Sequence, residues 1–402
     1  MKENQSKKIL ALIFVCLIFT GLVGNACKAY HEKEDCFSLY SSYLGEALST
    51  PAKLKAGLLS FYDYAGRLDE KTAFKKSFIN LYGLAKRVNP APCPDTDGTV
   101  RLKDGSLGLF APEAQALEEK AQNIKALEAE LKALGSDLLY IQLLGKIKQD
   151  DFLLPKGLKD FANSNADDLL AALENKGVKS FDLRKDFGEK GKDYSSLFYR
   201  TDHHWKVETG LRAARITAEN LNEDFDFGMD TDCLKRENFK EESYDKIFLG
   251  SLGKRVGLLY AGSDDFALLT PAYETNFGCK YHMANGNTIL KEGSFEEAWI
   301  FKENLKRDYF SANVYATYAG GSMPLIKCEN KLIKGKKLLV LADSFADTLL
   351  PFLSIGCQSL VIVDPRLYEG DLAELTARER PDLTLIIYNP SAINNDDFFN
   401  FG

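Results

Sequence analysis

Three side chains of this sequence can together supply a nucleophile, a base and an orienting carboxylate. One segment reads Tyr199-Arg200-Thr201-Asp202-His203-His204-Trp205, and far downstream lies Leu341-Ala342-Asp343-Ser344-Phe345. An Asp two residues before a His can hydrogen-bond the imidazole, fix its tautomer and stabilise the imidazolium formed when the ring takes a proton. A serine hydroxyl is a weak nucleophile until such a base activates it. Asp202, His204 and Ser344 are therefore the candidate catalytic residues. His203 either packs structurally or contacts substrate, and Trp205 is expected to pack beneath the site. The bland alternative for Asp202 and Ser344 is helix capping, since each precedes a stretch of helical character. A metal reading that joins Asp202, His203 and His204 to His282 is the weaker one. His282 is remote in sequence and the ligand set is scattered, so no metal is expected.

These residues need elements to hold them. Lys337-Leu338-Leu339-Val340-Leu341 reads as a buried parallel strand, and it ends in a turn where the Ser344 hydroxyl can be exposed. Further strands are expected over 137–144, 178–183, 359–363 and 383–388. Helices are expected over 113–134, 165–174, about 207–221 and about 346–353. In the first of these Leu117, Ile124, Leu127 and Leu131 share one side. Repeated β–α units imply an α/β domain with a mostly parallel sheet and helices on both faces. Residues 225–330 are less regular and rich in Gly, Asn and Tyr, which points to an insertion of short strands and loops. Residues 27–94 have a helical pattern broken at Asn89-Pro90-Ala91-Pro92-Cys93-Pro94, as in a stalk or cap leading into a main domain over 95–402.

The chain has 402 residues, of which 45% are hydrophobic, ample for one large core. A net charge of −7 and the lack of a Lys/Arg block interleaved with aromatics argue against nucleic acid. GxGxxG, GxxxxGK[ST] and HExxH are absent, and no cofactor is expected. Lys2, Lys7 and Lys8 precede an uncharged run from Ile9 to Ala26. Its 18 residues are near the lower limit for crossing a hydrocarbon core. The reading is a cytoplasmic tail over 1–8 and a transmembrane anchor over 9–26, with the remainder outside the membrane. The alternatives are a signal peptide cleaved near Gly24-Asn25-Ala26, giving a secreted or periplasmic protein, or lipidation at Cys27. Of eight cysteines, seven follow Cys16 in that run. An odd number does not suggest a complete disulfide framework, although one or two unassigned bridges are compatible with it.

Tyr-Arg-Thr-Asp-His-His-Trp resembles the signature of the DHHW family, which is similar to the alginate O-acetyltransferases and, more broadly, to SGNH-type hydrolases. The likeness extends over roughly 100–390 through Ser322-Met323-Pro324-Leu325-Ile326, Ala342-Asp343-Ser344-Phe345, Leu350-Pro351-Phe352-Leu353 and Val363-Asp364-Pro365-Arg366. Position 342 is Ala where such enzymes usually carry Gly. The resemblance implies an SGNH-like fold with Asp202, His204 and Ser344 as its triad. By analogy, Gly321 and Asn389 become candidate oxyanion donors beside the Ser344 N–H, and His203 and Arg366 candidate substrate contacts. The implied activity is O-acetyl transfer to a cell-surface or exported polysaccharide through an acetyl-serine. A polytopic membrane acyltransferase would be the partner passing acetyl groups outward. The alternatives are a carbohydrate acetylesterase using the same triad, and a non-catalytic surface glycan-binding protein.

Overall fold

The computed structural model describes residues 75–88, 98–148, 153–188 and 191–401. The tail at 1–8, the anchor or signal at 9–26 and most of the stalk lie outside the described residues. No helix among the described residues is long and apolar enough to cross a membrane. Contacts divide the chain into two units, Met1–Tyr82 and Gly83–Gly402. Helix α1 (Lys75–Val88) spans that division.

The second unit is built on one large sheet. Its strands are β3 (Asp137–Gln142), β4 (Ser180–Asp182), β7 (Phe277–His282), β8 (Thr288–Gly293), β9 (Leu325–Asn330), β10 (Lys337–Ala342), β11 (Ser359–Val363) and β12 (Leu383–Tyr388). They lie in the order β4-β3-β12-β10-β11-β9-β7-β8. The pairings β4·β3, β3·β12, β12·β10 and β10·β11 are parallel. Beyond β11, strands β9, β7 and β8 continue the sheet antiparallel. Two antiparallel pairs stand apart from it: β1 (Thr99–Arg101) with β2 (Leu107–Leu109), and β5 (Phe239–Phe248) with β6 (Asp264–Pro271).

The central strands are continuous apolar runs because both of their faces are covered. β12 is buried at every position, and β10 at every position after Lys337. Leu338, Val340 and Ala342 of β10 pack with Leu385 and Ile387 against helix α4 (Val207–Phe225), through Leu211, Ala214, Ala218 and Leu221. Leu339 and Leu341 face the other way. They join Ile386 and Tyr388 against helices α2 (Glu118–Ala133), α3 (Ala162–Asn175) and α6 (Leu372–Glu379). The α/β class with helices on both faces is thus observed.

Several boundaries differ from the sequence expectation for physical reasons. β3 stops at Gln142, whose side-chain amide donates to Leu143 O and Tyr388 O. The helix expected over 346–353 is two short pieces: a 3₁₀ turn at Ser344–Thr348, then Leu350–Leu353 with Pro351 in its first turn. Proline is tolerated there because its missing N–H would have no intrahelical partner. The irregular region over 225–330 contributes β7, β8 and β9 to the main sheet as well as the β5–β6 ribbon. β8 alternates exposed and half-buried residues, and only Ile289-Leu290 are adjacent apolar ones, so no buried run marks it.

Cys279 of β7 and Cys328 of β9 are register partners and form a disulfide across 49 residues of chain. Closing a loop of that size restricts the unfolded chain and stabilises a fold by roughly 2–4 kcal/mol. Peptide mapping under non-reducing conditions should recover Cys279 linked to Cys328, and Cys328→Ser should lower the unfolding free energy by about that amount. An unchanged urea midpoint in Cys328→Ser would contradict this role.

Candidate active site

The C-terminal ends of the parallel strands gather the chemistry, as is usual where open α/β sheets bind ligands. Ser344 lies two residues past the end of β10, the strand between β12 and β11. Its turn is held by Asp343, which caps the 3₁₀ turn by accepting the Phe345 N–H at 2.8 Å through Oδ1. The other oxygen, Oδ2, accepts the Asn389 backbone N–H and side-chain amide, both at 2.7 Å. One buried carboxylate thus ties the turn after β10 to the turn after β12. Burial pushes the Asp343 carboxyl up to about 6, with these N–H donors opposing. Ala342 has no left-handed φ, so its position makes no conformational demand for glycine.

The candidate base, His204, arrives on a tight loop. An isolated bridge pairs Phe198 with Trp205, and Tyr199 N–H donates to His204 O at 3.2 Å. Within the loop, His204 Nδ1 lies 2.6 Å from Asp202 Oδ1, and His204 Nε2 lies 2.9 Å from Ser344 Oγ. This is a serine–histidine–aspartate relay, with Nδ1 as donor to Asp202 and Nε2 left to accept the serine proton. The capping alternative fails at both positions. Lys206 occupies the cap of α4, and Asp343 occupies the cap of the turn that Ser344 opens.

The carboxylate of Asp202 is only 2% exposed. Burial alone would raise it, but the His204 and His203 imidazoles, together with hydrogen bonds from His204, hold it well below the usual range. Its second oxygen accepts the Ser251 N–H at 2.5 Å, at the start of helix α5 (Ser251–Val256). Gly250 makes that approach feasible. A Cβ there would stand 2.3 Å from Asp202 Cβ and 2.6 Å from Thr201 O.

The His203 ring packs tilted by 35° against His204, with ring centres 3.9 Å apart, and shares a hydrogen bond with Ser251 Oγ at 3.0 Å. Burial and the neighbouring His204 push it down to about 3. It therefore stays neutral near pH 7, with its Nδ1 3.3 Å from Asp202 Oδ1. On its other side the His204 ring is stacked at 4.1 Å on Tyr315, whose hydroxyl bonds Thr348 Oγ1 at 3.1 Å. Trp205 is fully buried and donates to the same Thr348 hydroxyl at 2.9 Å. The donor atoms of Asp202, His203 and His204 lie within 4.8 Å of one another, a group that does not include His282.

The remaining candidates are placed differently. Gly321 closes a run of three left-handed residues, Ala319, Gly320 and Gly321, and its N–H donates to Tyr318 O at 3.2 Å. With Asp343 and Asp347 it lines a cavity of about 10 Å³, room for about one water molecule. Asn389 spends its amide on Asp343, and its Oδ1 accepts the Ser391 N–H at 2.7 Å. Arg366 forms a two-pronged pair with Asp364 at 2.9 and 2.6 Å, and its guanidinium lies 4.5 Å from the Phe398 ring centre. It borders an open cleft with Tyr368 and Phe401 whose lining does not include Ser344 or His204. Tyr315, Ser251, Asp264 and Lys146 also shape the site. They were not apparent in the sequence because each reaches it from another element, with no local spacing to mark it.

Residues 107–260 match the family described as SGNH hydrolase-like domain, acetyltransferase AlgX. The family resemblance holds on that segment. It contains Asp202 and His204, while Ser344 lies beyond it and is joined to them by the fold. PatB1 of Bacillus cereus superposes with a TM-score of 0.62 at 21% identity, covering 74% of this chain and 98% of that one. PatB1 has also been solved with a sulfonyl adduct. A DHHW family protein from Eubacterium siraeum superposes with a TM-score of 0.56 at 16% identity, covering 76% and 95% respectively. At these identities the likeness is one of fold, and the α/β domain is SGNH-like. No curated protein matches the chain by sequence.

Gly250→Ala tests how tightly the SGNH-like site depends on that approach. The added methyl must displace Asp202 or helix α5. Misplacement of a catalytic group by about 1 Å costs on the order of 10²-fold in rate, and overpacking of this kind costs roughly 1–3 kcal/mol of stability. The variant should fold, melt at lower temperature and lose turnover of an acetyl ester by about that factor. Wild-type turnover in Gly250→Ala would show that Asp202 tolerates displacement.

Proposed function

We propose that this protein is an extracytoplasmic O-acetyltransferase that modifies a cell-surface or exported polysaccharide through an acetyl-serine on Ser344. The observation that carries this reading is the relay of 2.9 Å from Ser344 Oγ to His204 Nε2 and 2.6 Å from His204 Nδ1 to Asp202. His204 takes the Ser344 proton as Oγ attacks the acetyl carbonyl, and Asp202 stabilises the imidazolium. The tetrahedral oxyanion is held by the Ser344 backbone N–H and a second donor. A donor of that kind is worth about 3–4 kcal/mol where one has been removed. Collapse expels the donor's leaving group with the proton from His204. A sugar hydroxyl then gives its proton to His204 and attacks the acetyl-serine, passing the acetyl group to the glycan and restoring Ser344.

The acetyltransferase description of the family matched at 107–260 supports transfer. The Cys279–Cys328 disulfide supports an oxidising, extracytoplasmic setting. The basic residues before the apolar run Ile9 to Ala26 support a membrane anchor with the catalytic domain outside. Acetyl-CoA is cytoplasmic, so this reading includes a polytopic membrane acyltransferase as the supplier of acetyl groups.

With a chromogenic acetyl ester the wild type should acetylate itself and turn over slowly. Adding an acceptor oligosaccharide should speed release and yield acetylated sugar. Ser344→Ala and His204→Ala should each lose both activities by at least about 10³-fold, and the double variant should be little worse, since such groups act as a unit. His203→Ala should lose less. Rapid hydrolysis with no transfer to any glycan would make the protein an acetylesterase. Undiminished activity in Ser344→Ala would remove the mechanism.

A further inference from the structure

We propose that Lys146 is a positioning residue for this acyl-transfer site: its buried ammonium grips the main-chain carbonyls of segment 199–202 and so sets Asp202 where it meets His204. Lys146 is 5% exposed, just beyond the end of β3. Its ammonium donates to the carbonyl oxygens of Tyr199 at 2.6 Å, of Asp202 at 2.8 Å and of Leu107. Arg200 O lies further off, at 3.4 Å. Three of these four oxygens belong to the loop that carries the orienting acid, and one belongs to Asp202 itself.

An opposite charge holds the same stretch by its N–H groups. Asp264 of β6, 8% exposed, accepts the Arg200 N–H at 2.9 Å, the Thr201 N–H at 2.8 Å and the Thr201 hydroxyl at 2.6 Å. A cation on the carbonyls and an anion on the amides fix the peptide planes of one segment. Turning any of these peptides would break a charge-assisted bond, roughly twice as strong as a neutral one. Thr201 adds two ties to the α5 side, accepting the Gly250 N–H at 2.9 Å on its hydroxyl and the Gly253 N–H at 2.8 Å on its carbonyl. Lys146 thus acts through Asp202.

The charge of Lys146 separates positioning from mere support of the fold. The ionisable groups facing it are Asp264, Asp202 and Asp104, with Arg200 and His203 also near. Burial pushes its pKa down to about 8 from the ordinary 10.5, against the pull of the three carboxylates. Above that the amine has two protons for three close carbonyls. Between about 8 and 10.5 the unfolded chain holds the proton that the folded chain has lost, so this group makes stability rise with pH. Activity and stability should therefore part company in that window.

The experiment uses the full chain and a soluble acetyl ester, with kcat, KM, Tm and the downfield proton resonance of the His204–Asp202 hydrogen bond as readouts. It rests on the triad reading, so Ser344→Ala is run beside it. In the wild type, kcat and the downfield resonance should fall together around pH 8 while Tm does not fall. Lys146→Arg should move that limb to higher pH. Lys146→Met should lose about 10²-fold in kcat with little change in KM, and should lose the resonance. A folded Lys146→Met with wild-type kcat, while Ser344→Ala is inactive, overturns this proposal alone. Activity retained in Ser344→Ala overturns both readings. Should Lys146→Met not fold, the wild-type profile decides: a kcat that stays flat up to 10.5 overturns the proposal.

Discussion

A carboxylate taken out of water and aimed at an imidazole is the constraint around which the described domain is arranged. Burying an isolated carboxylate is costly, and such a group neutralises unless it is paired and hydrogen-bonded. Asp202 stays ionised because its oxygens are engaged by the His204 ring, the His204 N–H and the Ser251 N–H. Those partners come from the loop before α4 and from the start of α5. The loop that brings them together cannot move freely, since the same bonds that keep Asp202 charged also fix where it points. His203, neutral down to about 3, is a wall of the site beside the His204 ring.

Ser344, the proposed nucleophile, depends on a different buried carboxylate with a different task. Asp343 touches neither His204 nor Asp202 among its hydrogen bonds. It closes the turn of Ser344 and pins it to the end of β12. The sheet therefore positions Ser344 through the pairing of β10 with β12, while α4, seated on the same face of the sheet, positions His204. Thr348 joins the two halves, accepting from Trp205 at 2.9 Å and bonding the Tyr315 hydroxyl at 3.1 Å. Gly210 of α4 lies close against it, where a Cβ would come within 2.6 Å of the Thr348 hydroxyl.

Much of this was legible in the sequence. The strands 337–342, 359–363 and 383–388 are apolar on both faces, and such runs announce buried parallel strands wherever helices cover a sheet. The Asp-x-His spacing is local, so residues 202 and 204 could be read as partners, and Ser344 marked itself by following a buried strand. Other features were not legible, because they depend on contacts between distant segments. The Gln142 side chain reaches Tyr388 O only once β3 and β12 pair, and Cys279 meets Cys328 only once β7 and β9 pair. Lys146 and Asp264 look like ordinary surface charges until the fold buries them on either side of segment 199–202. Asn389 and Arg366 were placed near substrate by analogy, and geometry gives each an ionic or amide partner of its own, in Asp343 and Asp364.

The central claim is that Ser344 becomes acylated because His204 and Asp202 activate it. The most direct measurement is a rapid acid quench of the protein with an acetyl ester, followed by peptide mass mapping. The account predicts an acetyl group on the peptide containing Ser344, formed in the wild type and absent in His204→Ala. An acetyl group carried elsewhere, with Ser344→Ala still turning over the ester, would contradict it.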